Sequence, residues 1–233
     1  MKILRLPLAV VACAFALTGC SRADEAFDAK VRAYLLAHPE VIQEAMNKLQ
    51  EKQEAESLAH AKLAIEKYRK AIEQDPRDFV ANPGGKITMT EFYDYRCPHC
   101  ANIAPAVVQL IKDNPDLRVV FKEFPIFGAV SERAATGAIA VKKAGGDYVA
   151  VYHEFMTTHP LDAAAVDRIL QAHGVDPAKL DQDTTAQQLN DVRSLATELD
   201  IQGTPAFIIG DTLIPGEDLE AVKAAIEKAR GKG

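Results

Sequence analysis

The chain is short of cysteine, of basic charge and of long apolar runs, and each shortage excludes something. Of its four cysteines only Cys97 and Cys100 lie downstream of residue 20. No second Cys/His pair stands at ligand spacing, so a structural zinc site is not expected. The formal net charge is −6, whereas nucleic-acid binding needs a basic face to displace counterions. Beyond the N-terminus no apolar span of about 20 residues occurs, so no membrane-crossing helix is expected in the body of the protein. Repeats and low-complexity segments are lacking too. What remains is ordinary for a soluble globular protein: 233 residues, 48% hydrophobic and 26% charged, enough for one core plus an appendage or for two small domains.

The first twenty residues differ in kind. Lys2 and Arg5 form a charged n-region, and Leu6 to Leu17 is an apolar run of signal-peptide length. Leu17-Thr18-Gly19-Cys20 then resembles a bacterial lipobox, with Cys20 as the lipidated mature N-terminus, while Ala23 offers a competing cleavage site. Residues 1–20 are therefore read as a signal peptide. An export address implies an oxidising compartment, in which the exported chain carries two functional thiols.

Those thiols stand in Cys97-Pro98-His99-Cys100, where an alternating strand gives way to a helix. A disulfide closing so short a loop stabilises little, so the pair reads as catalytic and not structural. The thiolate is the attacking species, and Cys97 at the helix N-terminus meets free N–H groups and the positive end of the macrodipole. Pro98 suits a first-turn position whose missing N–H costs nothing. His99 in the same turn supplies a hydrogen bond or positive charge. These effects all favour a low Cys97 pKa and a disulfide that is readily donated. Cys100, one turn inside and less exposed, suits the resolving role.

Around this site the pattern alternates strands and helices. Phe27, Val31, Tyr34 and Leu35 mark a first helix, which His38-Pro39 breaks. Ile42, Ala45, Met46 and Leu49 mark a second, followed by a polar stretch over 50–57 and an apolar heptad seam at Leu58, Ala61, Ile65, Tyr68 and Ile72. The two seams are out of phase. Either this is one solvated helix on its own domain, or residues 24–75 form an oligomerisation arm, with 50–57 as a linker, whose apolar faces meet another copy of the chain. A catalytic domain is expected over 76–233. It holds strands at 87–93 and 117–124, a helical block over 130–199, a hairpin at 206–214 and a closing helix. Strand–helix–strand, helical insert, then hairpin–helix is the order of an α/β thioredoxin-like fold with a helical insertion.

The Cys-Pro-His-Cys tetrad and its preceding strand resemble the DsbA family of bacterial periplasmic thiol oxidoreductases. That resemblance implies three more site features. Glu91, six residues before Cys97, corresponds to a buried acid near the resolving thiol. Lys122, in Phe121-Lys122-Glu123-Phe124, corresponds to a basic partner of that acid. Gly203-Thr204-Pro205 resembles the cis-proline loop that faces the dithiol, its backbone free to pair with a substrate strand. The run from Val31 to Ile42, His38-Pro39-Glu40 included, is similar to the N-terminal region of the ScsC (suppressor of copper sensitivity) proteins, DsbA-like members that include trimers assembled through this arm.

The expected function is a periplasmic protein thiol–disulfide oxidoreductase of a Gram-negative bacterium, acting on unfolded or misoxidised proteins and recycled by a membrane redox partner. The expectation is a trimeric disulfide isomerase linked to copper tolerance, since a trimer built through the arm favours disulfide isomerisation; the alternative is a monomeric DsbA-like oxidase that donates disulfides one way. No cofactor is required. Cu(I) binding at Cys97 and Cys100, two soft ligands, is an alternative from a different class. A third is an oligomeric holdase whose cysteine pair is only a surface staple.

Overall fold

A computed structural model of the chain describes residues 18–231. The signal-peptide reading, from residue 1 to the start of the lipobox at 17, lies outside the described residues. The chain divides after Ser57 into two compact units.

The first unit is helical. Helix α1 (Thr18–Ala37) stops before Pro39, and α2 (Glu40–Glu73) starts directly after it, with Glu40 in its first turn. At the break, the His38 N–H still reaches Tyr34 O at 2.8 Å and the ring of Tyr34 packs on that of His38. Phe27, Val31, Tyr34, Leu36, Ile42, Met46 and Leu49 are all exposed. The polar stretch over 50–57 is unbroken helix within α2.

The second unit begins inside α2, at Leu58, and not at residue 76 as the turn signals suggest. The cause is burial. Ile65 and Ile72 pack in one core with Phe92, Val192, Leu195, Leu199 and Ile208. Burying two such side chains stabilises by about 1.5–3 kcal/mol each, far more than a turn at Asp75-Pro76 can oppose. The two readings of the helical seam therefore apply to different stretches: Ala64, Ile65, Tyr68 and Ile72 pack on their own unit, whereas the seven large apolar residues named above stay exposed.

The sheet has five strands: β1 (Phe79–Ala81), β2 (Ile87–Tyr93), β3 (Leu117–Glu123), β4 (Ala206–Ile209) and β5 (Thr212–Pro215), in the order β1-β3-β2-β4-β5. Only β2 and β3 are parallel, joined over α3 (Pro98–Asp113); the other pairs are antiparallel. Strand β1 has no counterpart in the expected pattern, because three residues between two turn signals carry no readable period. The helical block is α4 (Ala129–Lys143), α5 (Tyr148–Thr157), α6 (Ala163–Ala172) and α7 (Gln182–Glu198), with a 3-10 turn at Pro177–Lys179, and α8 (Leu219–Arg230) follows the hairpin. Gly210 supplies the positive φ of the two-residue β4–β5 connection. The β4–β2–β3 part of the sheet is covered on both faces, which explains its near-continuous apolar runs. Met89, Tyr93, Phe121 and Phe207 face α3, α5 and α8, while Phe92, Ala206 and Ile208 face α2 and α7.

Candidate active site

Strand β2 delivers the chain to a short loop, Asp94–Arg96, which Asp94 organises. The buried Asp94 carboxylate accepts from the N–H groups of Arg96 (2.7 Å), Ile126 (2.6 Å) and Phe127 (2.9 Å) and from the Ser131 hydroxyl (2.8 Å). Its carbonyl accepts the Cys97 N–H at 3.1 Å. Cys97 is thereby held in extended geometry as the N-cap of α3, and Pro98 occupies the first turn.

Both thiols are buried and unbridged, at 2% and 0% exposure for Cys97 and Cys100. Their acidities are driven apart. A hydrogen bond from the Cys100 thiol does most to bring Cys97 down to about 5; burial opposes it, and bonds from the Cys100 and His99 backbone N–H groups add to it. Burial and the bond to Cys97 push the Cys100 thiol far above its ordinary value. At neutral pH Cys97 is a thiolate and Cys100 a thiol.

His99 contributes in a different way than its residue type suggests. Its ring is exposed, and Nδ1 lies 3.0 Å from Glu217 Oε1, which raises the imidazole pKa. What it gives Cys97 most directly is its backbone N–H. The loop at Gly203-Thr204-Pro205 faces the dithiol: the Thr204–Pro205 bond is cis, and Cys97 Sγ, when protonated, donates to Thr204 O at 3.1 Å. Thr204 Oγ1 is buried beside the site with no hydrogen-bond partner.

Glu91 is fully buried, and both its oxygens accept from the Tyr152 hydroxyl, at 3.1 and 3.2 Å. Burial pushes its carboxyl up to about 8, and its charge in turn raises the Cys100 thiol. Lys122 is not its partner. In the β2–β3 register Glu91 stands opposite Phe121, and Lys122 opposite Phe92. Side chains alternate along a strand, so Lys122 points to the other face, where it donates to Asp78 and to Ala71 O. It closes a buried ion pair behind the sheet and has no place in the dithiol site.

Four functional residues had no signal strong enough to single them out. Asp94 and Glu217 look like loop acids. Glu123 ends a strand, and Tyr152 sits on an apolar helix. The one available clue is that four of the six tyrosines fall in two close pairs, Tyr93/Tyr95 at the end of β2 and Tyr148/Tyr152 one turn apart on α5. Among the described residues no group of three or more His, Cys, Asp or Glu could hold a metal, and no helix is long and apolar enough to cross a membrane. The two thiols are the soft ligands a Cu(I) ion would use.

Comparison with known proteins follows the division of the chain. Residues 88–227 match the DsbA-like thioredoxin domain, and residues 25–56 match the N-terminal domain of the copper resistance protein ScsC. The DsbA thiol:disulfide interchange protein of Bordetella pertussis is 31% identical over 54% of this chain and 64% of its own. The Na(+)/H(+) antiporter NhaA 1 of Salinispora arenicola is 30% identical over 66% of this chain, which spans only 25% of that protein's length. Among solved structures, BcfH of Salmonella enterica Typhimurium aligns with a TM-score of 0.74 and 30% identity, covering 91% of this chain and 97% of that one. A linker-deleted variant of Proteus mirabilis ScsC aligns with a TM-score of 0.70 and 25% identity, covering 90% and 96%.

Proposed function

The chain belongs to the DsbA-like thioredoxin-domain family, and from that membership we propose that it is an exported protein thiol–disulfide oxidoreductase that works as an oligomer and rearranges disulfides. The observation that carries the chemistry is the opposed tuning of one dithiol, with Cys97 brought down to about 5 and Cys100 buried and raised. Cys97 attacks a substrate disulfide to give a mixed disulfide. Cys100 then attacks Cys97 Sγ and releases the substrate thiolate, its own proton passing to Glu91. The Thr204 backbone is the edge on which an extended substrate would pair, with little regard to its sequence.

Oligomerisation through the arm is supported by seven exposed apolar side chains before residue 57 and by the match of 25–56 to the ScsC N-terminal domain. Several dithiols around a shared space, a trimer being the simplest case, favour isomerisation over one-way donation. The periplasm, a lipid anchor at Cys20 and a membrane redox partner belong to the same reading. It is tested with scrambled ribonuclease, comparing the full chain with one that starts at Leu58. Isomerase activity that needs the arm is the expected result. Equal activity of both would remove the arm from the mechanism, and a monomeric full chain without isomerase activity would leave a monomeric dithiol oxidase instead.

A second reading has the same dithiol bind Cu(I), favoured by the pairing of two soft thiols with a copper-resistance N-terminal domain. Titration of reduced protein with Cu(I), repeated on Cys97→Ala, tests it. Unchanged affinity would exclude the dithiol as the site.

A further inference from the structure

Behind the dithiol lies a second buried carboxyl that the exchange steps above leave without a task. Glu123 stands opposite Tyr93 in the β2–β3 register, two positions beyond the Phe121 that faces Glu91. Alternation places Glu91 and Glu123 on the same face of the sheet as diagonal neighbours, on the order of 7 Å apart. Glu123 Oε1 accepts from the hydroxyls of Tyr95 (2.8 Å) and Tyr148 (2.6 Å). The Tyr93 hydroxyl bridges these two, at 3.3 Å from Tyr95 and 2.6 Å from Tyr148. Three phenols thus close on one carboxyl, whereas Glu91 has Tyr152 alone.

The ionisable groups around the pair come from every packed element. They are Tyr93 on β2, Asp94 and Tyr95 in the loop, Cys97 and Cys100 at α3, and Tyr148 and Tyr152 on α5. Strand β4 contributes Phe207 opposite Glu91. Lys122 is turned to the other face. Among the described residues no cation stands between these two carboxyls; the charge on Glu123 raises Glu91, and that on Asp94 raises Glu123. Burial pushes both up to about 8. The carboxyl with more donors to its charged form ionises first.

We propose that Glu123, held by Tyr93, Tyr95 and Tyr148, takes the first negative charge of this pair and so makes Glu91 the stronger base that receives the Cys100 proton. In the resolving step the Cys100 proton goes to the Glu91 carboxylate, and the Cys100 sulfur bonds to Cys97 Sγ. The bond from Cys97 to the substrate sulfur breaks, and the substrate leaves with the electron pair as a thiolate. Cys100 is oxidised and the substrate sulfur reduced; in disulfide donation the same proton returns from Glu91 to Cys100. Glu123 touches neither sulfur and acts through Glu91, so it is a positioning residue.

This inference rests on the dithiol reading, and its test separates the two. The reduced full chain is mixed with excess glutathione disulfide, quenched with acid, and weighed by mass spectrometry to follow formation and decay of the Cys97 mixed disulfide across pH. In the wild type the decay rate rises with pH through the Glu91 ionisation. Glu123→Gln is expected to move that midpoint down by about one to two pH units, the effect of one charge at this separation in a protein interior. The plateau falls and the first step keeps its pH profile. Tyr148→Phe, which keeps the carboxyl and the ring, shifts the midpoint in the same direction by less, and it decides the matter if Glu123→Gln does not fold. An unmoved midpoint in the folded variants with a normal first step overturns the inference alone. A wild type that forms no mixed disulfide at Cys97 overturns the dithiol reading, and the inference with it.

Discussion

Cys97 and Cys100 are one residue type three positions apart, yet the protein pushes their thiols in opposite directions. Cys97 sits where donors converge and Cys100 where burial dominates. The Cys97 shift has a consequence for stability. Its folded value of about 5 is below the 9.0 of an ordinary thiol, so ionisation stabilises the reduced fold fully above 9 and not at all below about 5. The stability of reduced relative to oxidised protein is therefore expected to grow as pH rises from about 5 to 9. Urea midpoints of the two forms across that window measure it, and a flat difference would contradict the assignment. Alkylation of reduced protein with iodoacetamide should show the same ionisation directly. His99→Ala is expected to leave that midpoint nearly in place, because the His99 ring is engaged by Glu217 while its backbone N–H survives the substitution.

Among elements, the β2–β3 register decides which charged residue serves which face. Glu91 and Lys122 are close in the sheet, and a resemblance based on motifs pairs them. A strand has a period of two, so the pairing depends on whether their registers share parity, and they do not. Lys122 instead holds Asp78, beside the last turn of α2. Lys122→Met is expected to leave Asp78 buried without its cation and to cost about 3–5 kcal/mol in chemical denaturation. The redox potential of the dithiol should stay unchanged. A shift as large as that of Glu91→Gln would restore Lys122 to the active site. The strand limits themselves were largely readable: β2 and β3 follow the apolar runs at 87–93 and 117–124 closely. The exceptions are short or polar. Strand β1 is three residues long, and α7 begins in a polar run whose N-cap, Asp181, is recognisable only once its carboxylate is seen to accept the Thr184 N–H.

For the whole molecule, helix α2 belongs to two units, and this sets where the chain can be cut. A chain starting at Leu58 keeps Ile65 and Ile72 in the core with Phe92, Leu195 and Ile208. It is expected to fold, to remain monomeric and to retain dithiol exchange with glutathione. A chain starting at Pro76 loses both isoleucines and exposes that face of the sheet, at a cost of about 2–5 kcal/mol for each side chain removed. It is expected to aggregate or to unfold well below the longer chain. Sedimentation and thermal unfolding of the two distinguish these outcomes, and equal stability would move the boundary back to the turn at Asp75-Pro76. The exposed apolar side chains of α1 and early α2 predict self-association of the full chain that this cut abolishes.

What the sequence by itself determined is local chemistry. The tetrad names the reaction, because two cysteines at a helix start need only their own turn to set their roles. Pro39 and the apolar periods place most helices for the same reason, as these effects act over a few residues. The partners of the buried charges were decided by the tertiary structure alone. Whether Glu91 meets Lys122 or Tyr152, whether Glu123 is idle or caged by three phenols, and whether the α2 seam faces its own sheet all depend on strand parity and packing between distant segments. The Cys97–Cys100 pair was visible from the start; the carboxyls and tyrosines behind it exist as a site only in the folded chain.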